Sequence, residues 1–446
     1  MRRVTSFGGK SQVAAHRLLC MHRAGRKLIL VLPFWCCAAL PWAATAACAD
    51  DAGSLEQALI ATKPLVDIRL RHEEVEQAGI ANNADANTLR ARLGGETGKF
   101  LGTSLLAEGE AMFRLDDDYR PDNAVPTYTQ YPVVADPENY GINRLQLSNT
   151  SLPQTTVRVG RQRIVLDDQR FVGNVGWRQN EVTFDAVRVI NQSVPRLTLD
   201  LTFLNKVHRI YGVDSPQGTY GGDSYLVNVG YRSPLGKLTG FAYLLDFDPI
   251  AGLTGALDPR RGSTSTVGGR LANMWPVAAF KFGYTLSYAS QKPRGDNPLN
   301  FQDDYFFGQL TAGVAGFTLA AADENLHGNG VAGFATPLAT LHQFQGWADK
   351  FLTTPANGID DRSASLTWTA RRTIGIDALS ASAVYHGFAA ERVSTNYGRE
   401  WDWLLTGKWR RYTGTLKYAD YQAAASTPVA IARDTTKFWA QVEYVW

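Results

Sequence analysis

Apolar and polar residues alternate along most of this chain with a period of two, the pattern of strands that meet an apolar medium on one face only. The last ten residues show it most clearly. Phe438, Ala440, Val442, Tyr444 and Trp446 share one face, and Trp439, Gln441, Glu443 and Val445 share the other. About eighteen such segments, each long enough for a tilted membrane strand, follow one another from Leu65–Glu73 to Asp434–Trp446. Their connections alternate in length. Short ones fall at Gly95–Thr97, Pro234–Leu235, Ala272–Pro276, Val314 and Thr373; long ones at Leu115–Gly141, Val165–Asn180, Lys206–Asp223, Asp248–Ser263 and Asn325–Asp361. The pattern predicts an all-β fold: a transmembrane antiparallel β-barrel of about 18 strands, with short periplasmic turns and long extracellular loops, closed by pairing of the last strand with the first.

Parity then assigns faces. Tyr225, Val227, Val229 and Tyr231 point to lipid, as do Phe280, Phe282, Tyr284, Leu286 and Tyr288, and Trp401, Trp403, Leu405 and Trp409. Trp275, Trp409, Tyr412 and Trp446 are expected to form the periplasmic aromatic girdle, and Tyr288, Tyr305, Trp401 and Tyr421 the outer one.

The start of the chain bears on its compartment. Met1 to Lys27 holds seven Lys/Arg and no Asp or Glu, followed by an apolar run from Leu28 to Leu40 and small residues from Ala43 to Ala49. This is the build of a secretory signal peptide, with Met21 as an alternative start; the run is too short to span a bilayer. The expected organisation is a leader over 1–49 cleaved near 46–49, a short periplasmic segment over 50–64, and the barrel over 65–446. Leu55, Ala58 and Leu59 have helical spacing within the periplasmic segment. All four cysteines, Cys20, Cys36, Cys37 and Cys48, lie in the leader, so the mature part needs no disulfide. Removing the seven basic residues of the leader from 45 leaves 38 against 42 acidic ones, a mildly acidic chain. Any attraction for anions must come from where charges sit.

The same parity turns a set of cations inward: Arg69 and Arg71, Arg90 and Arg92, Arg158 with Arg161 and Arg163 beyond it, Arg232, Lys281, Lys408 and Arg410, with Lys417. Guanidinium groups in a narrow aqueous passage favour anions, and their planar fork suits carboxylate and phosphate. Asp67, Glu73, Glu108, Glu110, Asp200 and Glu443 also face inward by parity, so a salt-bridged wall without selectivity is the competing expectation.

Two blocks carry a family resemblance. The run Asp67–Gln77 (DIRLRHEEVEQ) and the series Gly160-Arg161-Gln162-Arg163, Asp167-Asp168-Gln169-Arg170-Phe171-Val172-Gly173, Trp177-Arg178-Gln179 and Phe184-Asp185-Ala186 resemble the alginate export family of Gram-negative outer-membrane barrels. The resemblance implies an eighteen-stranded channel passing an anionic saccharide, with Arg69, Arg71, Arg158, Arg161, Arg163, Arg170 and Arg178 at a constriction. It implies that the loop Val165–Asn180 folds inward and that periplasmic export partners exist. The generous lumenal acids depart from an alginate pore and favour the alternative, a general or substrate-specific porin for small organic anions or oligosaccharides. The partners expected are outer-membrane lipid, the anionic solute and, through the C-terminal strand, the barrel-assembly machinery, with no nucleic acid and no cofactor.

Other motifs carry less. Gly328, Gly330 and Gly333 have dinucleotide-loop spacing without a strand-turn-helix unit around them. Asp116–Asp118 and Asp360–Asp361 suit a solvated acidic loop better than a calcium site, and the histidines lack zinc spacing. An outer-membrane enzyme needs a Ser, a His and an acid together; Ser382 and His386 share a face but show no orienting acid in sequence.

Overall fold

The computed structural model describes residues 51–446 apart from 374 and 429–430; the expected leader lies outside the described residues. The alternating segments form β1 (Lys63–Gln77), β2 (Ala84–Glu96), β3 (Thr103–Arg114), β4 (Asn139–Asn149), β5 (Thr155–Gln162), β6 (Thr183–Asn191), β7 (Leu197–His208), β8 (Thr219–Ser233) and β9 (Gly236–Leu244). The second half comprises β10 (Thr264–Val277), β11 (Phe280–Pro293), β12 (Asp303–Val314), β13 (Phe317–Leu326), β14 (Ile359–Thr373), β15 (Ile376–Ala389), β16 (Asn396–Trp409), β17 (Tyr412–Gln422) and β18 (Thr435–Val445). Each strand pairs antiparallel with its neighbours in sequence. Closure comes from β1 on β18, in register from Asp67↔Val445 to Gln77↔Thr435. The expected 18-stranded barrel is therefore the fold, and no sheet edge remains open.

A closed barrel satisfies every ladder hydrogen bond internally, which is what a bilayer demands of a spanning sheet. Its exterior is correspondingly apolar: Leu70, Leu147, Tyr225, Leu286, Leu310, Leu366, Trp403 and Val442 are all exposed. Such a surface belongs in lipid. No described helix is long and apolar enough to cross a membrane.

One end carries turns such as 234–235, 278–279, 315–316 and 410–411; the other carries the loops 115–138, 163–182, 245–263 and 327–358. The turn expected at Ala272–Pro276 is displaced, because β10 continues to Val277 and Trp275 sits within it opposite Phe282. Trp409 stacks on Tyr412 at the turn end and Arg411 lies over the Trp446 ring; with Trp275 these exposed aromatics form the expected periplasmic girdle, to which Tyr444, tilted against Tyr412, is added. The outer girdle needs correction. Tyr288 and Trp401 are exposed on the outside, whereas Tyr305 and Tyr421 point inward and are fully buried.

Those tyrosines belong to a hydrophobic core inside the barrel. Phe241, Tyr243, Tyr305, Phe388, Tyr421 and Trp439 pack with Val172, Val175, Phe334, Leu338 and Phe351, which come from the loops 163–182 and 327–358. At its outer half the bore is a core, not a water column. Helix α1 (Leu55–Ile60), N-capped by the Ser54 hydroxyl, rests on the 97–102 turn, where the Gly98 amide donates to the Ala58 carbonyl. It braces the periplasmic rim.

Candidate functional site: a lumen crossed by two loops

The inward faces of β1 and β2 present Asp67, Arg69, Arg71 and Glu73 beside Thr88, Arg90 and Arg92, as parity requires. Their guanidinium groups hold backbone. Arg69 donates to the carbonyls of Gly176 and Trp177 (3.1 Å each), Arg71 to that of Trp177 (2.5 Å) and Arg92 to that of Gln179 (3.1 Å). Arg71 also lies 4.3 Å over the Trp177 ring. The loop 163–182 is thus drawn inward, as expected of Val165–Asn180, and its bare carbonyls find the donors that a buried loop must have.

The same loop reaches the opposite wall. Asp167 pairs with Lys237 of β9 (2.9 Å), Asp168 with Arg270 of β10 (3.2 Å), and Arg170 with Glu324 of β13 (2.7 Å). Arg178 returns to β1 and meets Glu73 (3.0 Å), Asp136 (3.7 Å) and Asp349 (3.0 Å). These three carboxylates raise its proton affinity against the opposing pull of burial. Glu181, buried at the loop's end, is nevertheless held down to about 2 by Arg92 and Arg163.

The loop 327–358 also enters the bore, by the converse chemistry. Its backbone offers N–H groups: Ala348 donates to Glu400 (2.7 Å) and Trp347 to Asp402 (3.3 Å), two carboxylates on the inward face of β16. Gly346 makes the approach possible, because its φ of +78° is a left-handed conformation and a Cβ there would strike the Glu400 carboxylate. His386 of β15 sits between Asp361 (2.9 Å) and Asp402 (3.6 Å). The orienting acid that the sequence did not reveal is Asp361; Ser382 instead bonds to Thr367 (2.9 Å) and is no partner of the imidazole.

The two loops meet at His342. Its ring stacks on Trp177 at 4.8 Å, its Nδ1 lies 2.7 Å from Asp349 Oδ1, and its Nε2 lies 2.6 Å from Lys417 Nζ. Lys417, buried on β17, has the Trp347 and Trp177 rings at 3.7 and 4.2 Å. Asp349 further binds Lys437 (2.7 Å). Burial lowers the proton affinity of His342, while His342, Lys437 and Arg178 hold Asp349 ionised despite its burial.

Below the loops the lumen has two unlike walls. Strands β1–β8 carry most of the long charged side chains; strands β11–β16 turn mainly small hydroxyls inward, among them Thr285, Thr311, Ser365, Thr367, Ser382 and Thr406, with Lys281 and Lys408 as the exceptions at the periplasmic end. Above the loops lies a vestibule of about 460 Å³ between Val133, Val175, Val207, Ile210 and Leu338, with Arg178, Arg209, His342, Asp349, Lys350 and Lys437 at its polar places. Arg209 is stacked on Tyr220 (4.2 Å) and bonded to Gln217, and Lys350 donates to Thr435 (3.0 Å). Neither forms an ion pair among the described residues. Burial, with Lys437 beside it, brings Lys350 down to about 8.

The residues singled out by sequence therefore divide. Arg69, Arg71, Arg90, Arg92, Arg170 and Arg178 face the bore but are engaged with loop backbone or carboxylates; Arg90 takes Asp67 and Glu443. Arg158 faces in opposite Arg188, which is paired with Asp200 at 2.5 Å. Arg232, Lys281 and Lys408 point inward nearer the periplasmic end and stay exposed. Two expectations fail. Arg161 shares the outer face of Leu145 and Val159, where it binds Asp185 (2.9 Å), itself bonded to His208. Arg410 occupies the 410–411 turn at positive φ and stacks on Trp409, so a turn residue has no lumenal face. Arg163, past the end of β5, turns back to Glu181. The acidic triplet disperses: Asp116 accepts from the Asn87 amide, Asp117 pairs with Arg114, and Asp118 accepts from Tyr131. Sequence reasoning missed Arg209, Lys350, Lys437 and His342. Only Lys437 carried a signal, its inward parity in the terminal strand.

No family model matches the chain, and no curated protein does. The fold is similar to that of solved barrels. OccK5 (OpdH) of Pseudomonas aeruginosa is 14% identical with a TM-score of 0.65, over 87% of this chain and 98% of that one. OccAB2 of Acinetobacter baumannii is 15% identical with a TM-score of 0.65, over 86% and 98%. The outer membrane protein OpdK of Pseudomonas aeruginosa is 14% identical with a TM-score of 0.63, over 86% and 99%, and has also been solved with vanillate. These likenesses lend no support to the expected alginate export kinship; what they show is the fold, that of an 18-stranded outer-membrane barrel.

Proposed function

We propose that this protein is a passive channel of the Gram-negative outer membrane that admits small organic anions, the uptake alternative to polymer export. The observation that carries the proposal is the vestibule: about 460 Å³ of mainly apolar wall with Arg209 and Lys350 free of carboxylate partners, above a bore in which the arginines of β1, β2 and the 163–182 loop are engaged and Arg232, Lys281 and Lys408 stay exposed toward the periplasmic end. A solute of that size with one anionic group gains charge-assisted hydrogen bonds there without displacing an existing ion pair. A polymer is less well served, since two loops cross-linked to both walls narrow its path. The vanillate bound to OpdK, itself a small anion, accords with this reading.

Reversal potentials in a planar bilayer under a salt gradient test it. The sign for anion flow is expected, and Arg209→Glu with Lys350→Glu should abolish or invert it; cation preference in the unaltered protein would refute the proposal.

A further inference from the structure

We propose that His342 is an acid-sensitive latch between the two inward loops, so that its protonation releases the loop 327–358 from the wall and widens the passage. The inference rests on the channel reading only for its functional consequence; the release itself concerns the protein alone. The geometry limits how many protons the closed form can hold. The 2.6 Å contact between His342 Nε2 and Lys417 Nζ needs one donor and one acceptor, and Nδ1, 2.7 Å from Asp349 Oδ1, bears a proton, so His342 and Lys417 together carry a single positive charge. A further proton removes the acceptor and sets an imidazolium against an ammonium inside a cage of Trp177, Trp347 and Trp439.

The charges around the ring come from every element packed on it. Loop 163–182 gives Arg178, loop 115–138 gives Asp136, and loop 327–358 gives Asp349; β1 gives Arg71 and Glu73, β16 Asp402, β17 Lys417 and β18 Lys437. Asp349 is already shared among His342, Lys437 and Arg178, so it has little capacity left to compensate a new cation. The direction of the linkage follows. A base whose proton affinity is lowered by docking contributes stability that is complete above its free value of 6.5 and is lost as pH falls below it. The docked form should lose up to about tenfold in equilibrium constant per pH unit below about 6.5.

Hydrogen–deuterium exchange of the full chain in detergent or nanodiscs, corrected for intrinsic exchange, tests this between pH 7.5 and 5. Residues 341–349 should lose protection on acidification while the barrel strands keep theirs. His342→Gln, which keeps an acceptor for Lys417 but does not titrate, should stay protected throughout, and Lys417→Met should blunt the response. Equal protection of 341–349 at both pH values, or an unchanged acid response in His342→Gln, overturns the latch. Single-channel conductance recorded alongside is expected to rise on acidification in the unaltered protein only. Loss of protection without any pore current would leave the latch standing and sink the channel reading instead.

Discussion

The two loops inside this barrel reach the same place by opposite means. Loop 163–182 shows its carbonyls to the arginines of β1 and β2, whereas loop 327–358 shows its amides to the carboxylates of β16. Both solve the problem of burying irregular backbone, whose donors and acceptors must all find partners. The solutions differ in what can undo them. A guanidinium keeps its charge at any biological pH, so the first loop is fixed; the second hangs on the His342 imidazole, which can take up a proton, so it can be let go. One loop is a strut and the other a gate.

The largest expected effect comes from attacking the strut. Arg178→Met leaves Glu73, Asp136 and Asp349 facing one another in the bore, and removing one partner of buried ion pairs typically costs about 3–5 kcal/mol. Faster exchange across 163–182 and a severalfold larger conductance should follow; an unperturbed pore would mean that the ion pairs do not hold the loop. Gly346→Ala attacks the gate alone. It forces a Cβ against Glu400 and strains a left-handed residue, at a cost of about 1–3 kcal/mol, and exchange should rise in 341–349 while 163–182 is unaffected. Equal loosening of both loops would show that they are a single unit. Arg161→Gln should do least, leaving conductance and ion preference as they were, because its side chain lies outside the barrel; altered selectivity would contradict that placement.

The barrel was legible because lipid imposes the period of two: each of the eighteen strands announced itself, and so did the inward charges of β1 to β3. Aromatic character misleads where loops fill the bore. Tyr305 and Tyr421 look like girdle residues because they are aromatic, yet alternation with exposed Phe306 and with inward Lys417 turns them to loops that fill the outer lumen with apolar side chains. The inward path of 163–182 had a trace in its arginines and acids. That of 327–358 had none, since its anchors are backbone amides and their receivers, Glu400 and Asp402, look like ordinary wall acids. The vestibule cations escaped for a related reason: Arg209 and Lys350 come from different loops and become neighbours of one cavity only through the fold.

Arg69 binds Glu443 across the β1–β18 seam at 2.6 Å and the carbonyls of Gly176 and Trp177 at the same time. A single guanidinium thus joins the first strand to be made, the last one and the plug. The position of that guanidinium toward the plug is therefore set partly by a residue of the opposite chain end, so joining the wall and seating its stopper are mechanically linked: a cylinder parted at this seam loses part of the plug's mooring with it.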